Sequence, residues 1–237
     1  MTTQTLSRHV LFALLALFLA IYAEYTGLDL WIAHQFYDSA HQQWPLRTLF
    51  VTKTLLHDDA QTAIKLFGFL TFILMVLSRI SERLSNFRKP LTYLTLASLT
   101  GPLIVAILKN TTHIQTPWQL TEFGGDKPYI RLFDSINQAL PIGHAFPGGH
   151  SSGGFAFLSL YFLFYFCAPA YRYLGLMIPL ALGFLFAADQ EMRGAHFFSH
   201  DMMSLFICWS SALFWAKVYL FRQESQPQIL ALRNTSH

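Results

Sequence analysis

Charge is what this chain has least of. Of its 237 residues only 12% are Asp, Glu, Lys or Arg, against about 25% in an average soluble domain. Hydrophobic residues make up 53%, and the mean hydropathy is +0.37. A chain so poor in charge cannot cover itself with a soluble surface, so the shortage of charge, not the length, points to a membrane protein. Cysteine is nearly missing too. Cys167 and Cys208 both fall inside apolar runs, which excludes a disulfide framework and a thiolate metal site and leaves two buried, inert thiols. There is no internal repeat and no low-complexity linker. A single domain over residues 1–237 is therefore expected, with a motif-bearing core of about 90–220 and a polar tail at 222–237. The net charge is only +3, and no nucleic-acid partner is expected.

What the chain has instead is long apolar runs. A spanning helix needs about 20 mostly apolar residues, and six segments approach this: Val10–Tyr25, Ala60–Leu77, Leu91–Leu108, Gly153–Ala168, Leu174–Ala188 and Met202–Phe221. The expected fold is an all-α bundle of six transmembrane helices. The first run follows Arg8 and His9, as a signal peptide would, but no small-x-small cleavage site follows, so it is read as a retained span. Basic residues fix the orientation. Arg8, Arg79, Arg83, Arg88, Lys89, Arg172, Arg222 and Arg233 fall on one side of an even-numbered bundle, and that side is read as cytoplasmic, with both termini. The loops Thr26–Asp59 and Lys109–Gly149 and the turn Asp189–Ser199 then face outward. In a bacterium this predicts an inner-membrane protein with its site on the periplasmic face.

The first outer loop carries Trp31, Phe36, Tyr37, Trp44 and Phe50. This suits a plain aromatic belt, with an interfacial helix or cap as the other reading. His57, Asp58 and Asp59 border the second span, as site residues or as helix caps. Trp118, Phe123 to Asp126 and Arg131 read as solvated loop, with a lid as the alternative. Gly101, Ala97 and Ser98 in the third span, and Gly183, Ala187 and Ala188 in the fifth, permit close helix approach.

Three polar clusters flank the last four runs. Lys109 to Trp118 closes the third. Phe146-Pro147-Gly148-Gly149-His150-Ser151-Ser152-Gly153-Gly154 opens the fourth as a glycine-rich turn, where exposed N–H groups at a helix start attract anions. Arg193 to Asp201 opens the sixth and holds His196 and His200. In a bundle with short connections these ends converge. Cations and histidines with few competing carboxylates suit a phosphate monoester or diphosphate.

In order and spacing the clusters resemble the three motifs of the type-2 phosphatidic acid phosphatase superfamily, K-x6-R-P, P-S-G-H and S-R-x5-H-x3-D. Here they read Lys109-x6-Thr116-Pro117, Pro147-Gly148-Gly149-His150, and a third centred on Gly194-Ala195-His196. Thr116 stands where the family has arginine, and Gly148 where it has serine. Gln190 stands at the arginine of the third motif and His200 at its aspartate, with Arg193 and Asp201 close by as substitutes.

The resemblance implies a lipid phosphate phosphatase that works through a phosphohistidine, with no metal or other cofactor. Its partners would be a lipid phosphate or isoprenoid diphosphate and the surrounding membrane lipids. By this mapping His196 is the nucleophile and His150 the general acid, while Lys109 and Arg193 hold the phosphoryl oxygens. The backbone of Gly148 and Gly149, with Ser151, adds donors. His200, four residues on and so on the same helical face as His196, is the expected orienting group, with Asp201 behind it. The reverse assignment makes His200 the nucleophile. A phosphotransferase uses the same intermediate. Two other classes fit parts of the pattern: a metal enzyme with His196 and His200 as ligands at i, i+4, and a transporter with a histidine-lined vestibule, although the middles of the spans carry almost no charge.

Overall fold

The computed structural model describes residues 2–52, 54, 60–135 and 140–221. Its α-helices are α1 (Thr3–Thr26), α2 (Leu28–His34), α3 (Ala60–Ile80), α4 (Arg88–Lys109), α5 (Gly149–Phe155), α6 (Ser159–Cys167), α7 (Leu174–Met192) and α8 (Phe198–Trp215). No strand occurs among the described residues. Among the described residues, five helical stretches are long and apolar enough to cross a membrane: Thr3–Thr26, Gln61–Ile80, Glu82–Lys109, Pro169–Met192 and Phe198–Leu220.

The expected fourth span is built differently. Residues 149–167 are helical throughout, but Ala156–Leu158 tighten into a 3-10 turn between α5 and α6, so neither α-helix alone has spanning length. Tertiary packing accompanies that break. The Gly154 backbone lies against the backbone of Gly183 on α7, and Gly183 in turn receives the ring of Phe155. Side chains at either glycine would hold the helices apart.

Helix α8 is the hub, packing against α1, α4, α5, α6 and α7. Its neighbours approach through small residues. Helix α1 turns Ala13, Ala16, Ala20 and Ala23 inward while Leu11, Leu14 and Phe18 are more than half exposed. Helix α3 likewise exposes Leu66 and Phe69. Large apolar side chains turned outward on these two helices invert the soluble pattern and fit an apolar solvent. Gly101 presses on Cys208, whereas Ala188 and Cys167 face outward, the last against the expectation of two buried thiols. Polar ties cross the core: the Tyr93 hydroxyl reaches the Ser159 carbonyl at 3.0 Å, and the Trp215 indole N–H reaches Thr100 Oγ1 at 2.9 Å.

The aromatic segment after α1 is less a belt than a cap. Trp44, Ala33, Leu120, Phe123 and Phe197 form a second small core, with Tyr37 and Trp118 packed against it. Trp31 and Phe50 remain exposed. Phe123, expected in a solvated loop, is thus buried, and Arg131 is clamped by both carboxylate oxygens of Asp134 at 3.0 Å.

Candidate active site

The three clusters meet at one end of the bundle. Lys109 is the last residue of α4, and its Nζ lies 3.1 Å from where a Cβ on Gly149 would stand. The first cluster therefore sits over the glycine turn of the second. The turn is in turn fastened to α8. The Gly148 N–H donates to the His200 carbonyl at 3.0 Å, and Ser204 Oγ donates to the Gly148 carbonyl at 2.7 Å. Ser151 Oγ donates to Asp201 Oδ1 at 2.5 Å. A third tie joins the first cluster to the third, from the Trp118 N–H to the Gly194 carbonyl at 3.0 Å.

These contacts explain one departure from the motif. A Cβ on Gly148 would collide with the Asp201 carboxylate and stand 2.7 Å from Ser151 Oγ. The serine found in the family has no room beside this aspartate. At Gly194 a side chain is excluded twice, because φ is +72° and the Trp44 ring covers the position. Thr116, where the family has an arginine, has its hydroxyl on Gln119 Oε1 at 2.7 Å and closes a local cap.

The histidines come together by an unexpected route. His196 and His200 do not share a helix face, because α8 begins only at Phe198 and the chain before it is extended, with Phe197 at φ −98° and ψ 160°. Even so, their Nδ1 atoms are 3.5 Å apart. Phe146 and Phe197 hold the His200 ring edge-on at 5.3 and 5.4 Å. Burial, the nearby Lys109 charge, and then His200 and His150, hold the His196 pKa well below the usual 6.5. A neutral imidazole, with a free lone pair, is the form this favours.

His150 is half-buried at the start of α5, and its Nε2 lies 3.4 Å from the side-chain nitrogen of Gln61 on α3. Among the described residues Asp201 makes no hydrogen bond to His196; it is taken by Ser151 and by the neighbouring Glu191 carboxyl. Ser151, completely buried, is committed to Asp201 and to the Gly148 carbonyl. Arg193 is 7% exposed and pairs with Asp189 at 3.7 Å, while its Nε and Nη1 have no hydrogen-bond acceptor among the described residues. Gln190 donates to the same Asp189 at 2.6 Å.

Several neighbours had no signature of their own. Gln61 and Lys65, joined at 2.9 Å, are a polar pair one turn apart at the head of an apolar helix, which was the one available signal. Asp29 on α2 accepts the Ser199 N–H at 2.9 Å and so supplies α8 with the N-terminal carboxylate that Phe197 cannot. Burial pushes Asp29 up to about 6. His57, Asp58 and Asp59 lie outside the described residues. Among the described residues, no group of three or more His, Cys, Asp or Glu side chains is placed to hold a metal ion.

Beside His150 a groove of about 450 Å³ runs between α3, α4 and α5. Its mouth has Gln61, Lys65 and Gly149, and its length is lined by Phe69, Phe72, Leu99, Pro102 and Phe157. Phe69 and Leu99 are also exposed at the flank of the bundle, so the groove opens sideways. A family model described as the PAP2 superfamily matches residues 90–224, more than half of the chain and all three clusters. No curated protein and no solved structure matches it.

Proposed function

The chain belongs to the PAP2 superfamily, and on that premise we propose that it is an integral membrane phosphatase that removes phosphate from a lipid mono- or diphosphate ester through a phosphohistidine. The observation that carries the reading is one juxtaposition. A buried imidazole kept neutral feels the charge of Lys109 and His150, the Lys109 ammonium lies over the glycine turn, and the half-buried His150 on that turn lines an apolar groove. Such a groove suits a lipid chain, and its polar mouth suits the phosphate.

In the first step an imidazole nitrogen of His196 attacks phosphorus. The P–O bond to the leaving group breaks, and His150 gives that oxygen a proton. Lys109, the Arg193 guanidinium, whose Nε has no hydrogen-bond acceptor among the described residues, and the first N–H groups of α5 balance the phosphoryl oxygens. In the second step water attacks phosphorus, the P–N bond breaks, and His150 takes a proton from the water. His200 orients His196, whereas Asp201 and Ser151 hold the turn. No metal takes part.

We place both termini and the end bearing Arg8, Arg79, Arg83, Arg88, Lys89 and Arg172 in the cytoplasm, on the positive-inside bias. Residues 149–167 then complete a six-span bundle, and the histidines face the periplasmic side of a bacterial inner membrane. The test is phosphate release by purified protein with chelator present. The substrates are phosphatidic acid, phosphatidylglycerophosphate, undecaprenyl diphosphate, lipid A phosphate and a sphingoid phosphate. No turnover on any of them sinks the reading. Trapping of labelled enzyme decides the nucleophile: label lost in His196→Ala and kept in His200→Ala is expected, and the reverse assigns His200.

A further inference from the structure

At the end of the bundle away from the three clusters, α1, α6, α7 and α8 enclose a second cavity of about 370 Å³. Its wall includes Arg8, His9, Tyr161, Arg172, Tyr173 and Trp209, and no carboxylate among the described residues. Two arginines thus border one space without a counter-charge among the described residues. Arg172 donates to the Tyr173 hydroxyl at 3.2 Å and lies over the Tyr173 and Tyr165 rings at 4.8 and 5.8 Å. No ion pair of Arg8 or Arg172 occurs among the described residues.

His9 is the unexpected member. Its ring is packed against Tyr161 and Phe162 at 5.4 and 5.1 Å, a position that phenylalanine would fill as well. Trp209 spends its indole N–H on the His9 carbonyl at 2.9 Å, not on the ring. His9 Nε2 is left buried with no hydrogen-bond partner among the described residues, on a side chain 7% exposed that lines the cavity. A buried polar atom of this kind ordinarily has a partner. The surface on both sides of the cavity is apolar: Leu11 and Leu15 on α1 and Leu174, Met177 and Ile178 on α7 are all more than half exposed. An anion bound here would carry its tail along those faces.

We propose that this cavity binds the phosphodiester headgroup of an anionic membrane lipid. Arg8 and Arg172 oppose the phosphate charge, His9 Nε2 and the tyrosine hydroxyls complete the hydrogen bonds, and the acyl chains lie on α1 and α7. The site is separate from the catalytic clusters and its occupant is not a substrate, since a diester offers no terminal phosphate. Bound there, the lipid fastens α1 to the turn between α6 and α7.

Native mass spectrometry of the full chain, titrated with dioleoyl phosphatidylglycerol or dioleoyl phosphatidylcholine, tests this. Phosphatidylglycerol is expected to bind at least about fivefold more tightly. The Arg8→Gln/Arg172→Gln variant should weaken it about tenfold or more, from the loss of two interfacial cations. The charge-matched control Arg83→Gln/Lys89→Gln should change it less than about twofold. His9→Phe keeps the ring packing and should weaken binding severalfold without lowering the lipid-free melting temperature. Should the double variant fold poorly, Arg8→Gln alone, at an exposed residue, gives the same reading at smaller amplitude. Equal loss in the control pair, or equal binding of phosphatidylcholine, overturns the site. Displacement of the lipid by millimolar inorganic phosphate overturns the lipid as its occupant.

Discussion

Replacing Gly148 by serine puts the family's residue back into the second motif, and the structure says it should harm the protein. The added Cβ falls on the Asp201 carboxylate and on Ser151 Oγ, the two atoms joined by the 2.5 Å bond that ties α5 to α8. Neither is the free end of a flexible chain, since Asp201 is fully buried and Ser151 is also held by the Gly148 carbonyl. Overpacking a tight interior costs about 1–3 kcal/mol. Losing a buried hydrogen bond to a carboxylate adds about 1.5–3 kcal/mol. A total of about 2.5–6 kcal/mol predicts a fall in melting temperature on the order of 10 °C for a chain of this length. Phosphate release should fall with it, because the turn that moves carries His150. The assay is thermal unfolding in detergent beside turnover of the best lipid substrate, for Gly148→Ser, Asp201→Ala and the double variant. Removing the aspartate leaves Ser151 with only the Gly148 carbonyl but makes room, so the double variant should be milder than the sum by about 1–3 kcal/mol. A Gly148→Ser protein that melts like the parent and turns over faster would refute the reasoning, for it would mean that the glycine is not required by Asp201.

Further predictions rest on single contacts. His196 is held neutral, so its ring ¹⁵N shifts, identified by their loss in His196→Gln, should stay those of a neutral imidazole as pH falls through 6.5; a midpoint at 6.5 or above contradicts this. The sign for stability follows: below 6.5 the unfolded chain takes up a proton that folded His196 refuses, so this group makes the fold weaker toward acid. Asp29 acts in the opposite direction. With a pKa of about 6 in place of 3.8, its ionisation costs about 3 kcal/mol, absent below pH 4 and fully present above about pH 6. Asp29→Asn keeps an acceptor for Ser199 and should melt no lower than the parent at pH 7.5, whereas Asp29→Leu, which removes it, should melt lower. Gly183→Ala forces a methyl group onto the Phe155 ring and should cost about 1–3 kcal/mol. If its melting temperature is unchanged, α5 and α7 are not packed there as described.

Much of this protein is local, and local things can be read along the chain. An apolar run long enough to cross a bilayer must satisfy its own backbone, so helices are expected wherever such runs occur. Five of the six expected runs are long apolar helices in the structure. The glycine turn, the lysine that closes α4 and the histidines near α8 also carry their spacing openly, and with it the family. The tertiary structure decided what no spacing contains. Whether Asp201 faces His196 or Ser151 depends on how α5 seats on α8. Whether His196 belongs to α8 depends on where the helix starts, which Asp29 caps from 170 residues away. The fourth run bends into a 3-10 turn beside two touching glycine backbones, and the aromatic loop folds inward because Gly194 leaves space for Trp44. Each of these is a contact between residues far apart in sequence, chosen by packing in three dimensions. For the same reason Gln61, Lys65 and the cavity around His9 became visible only once the helices stood side by side.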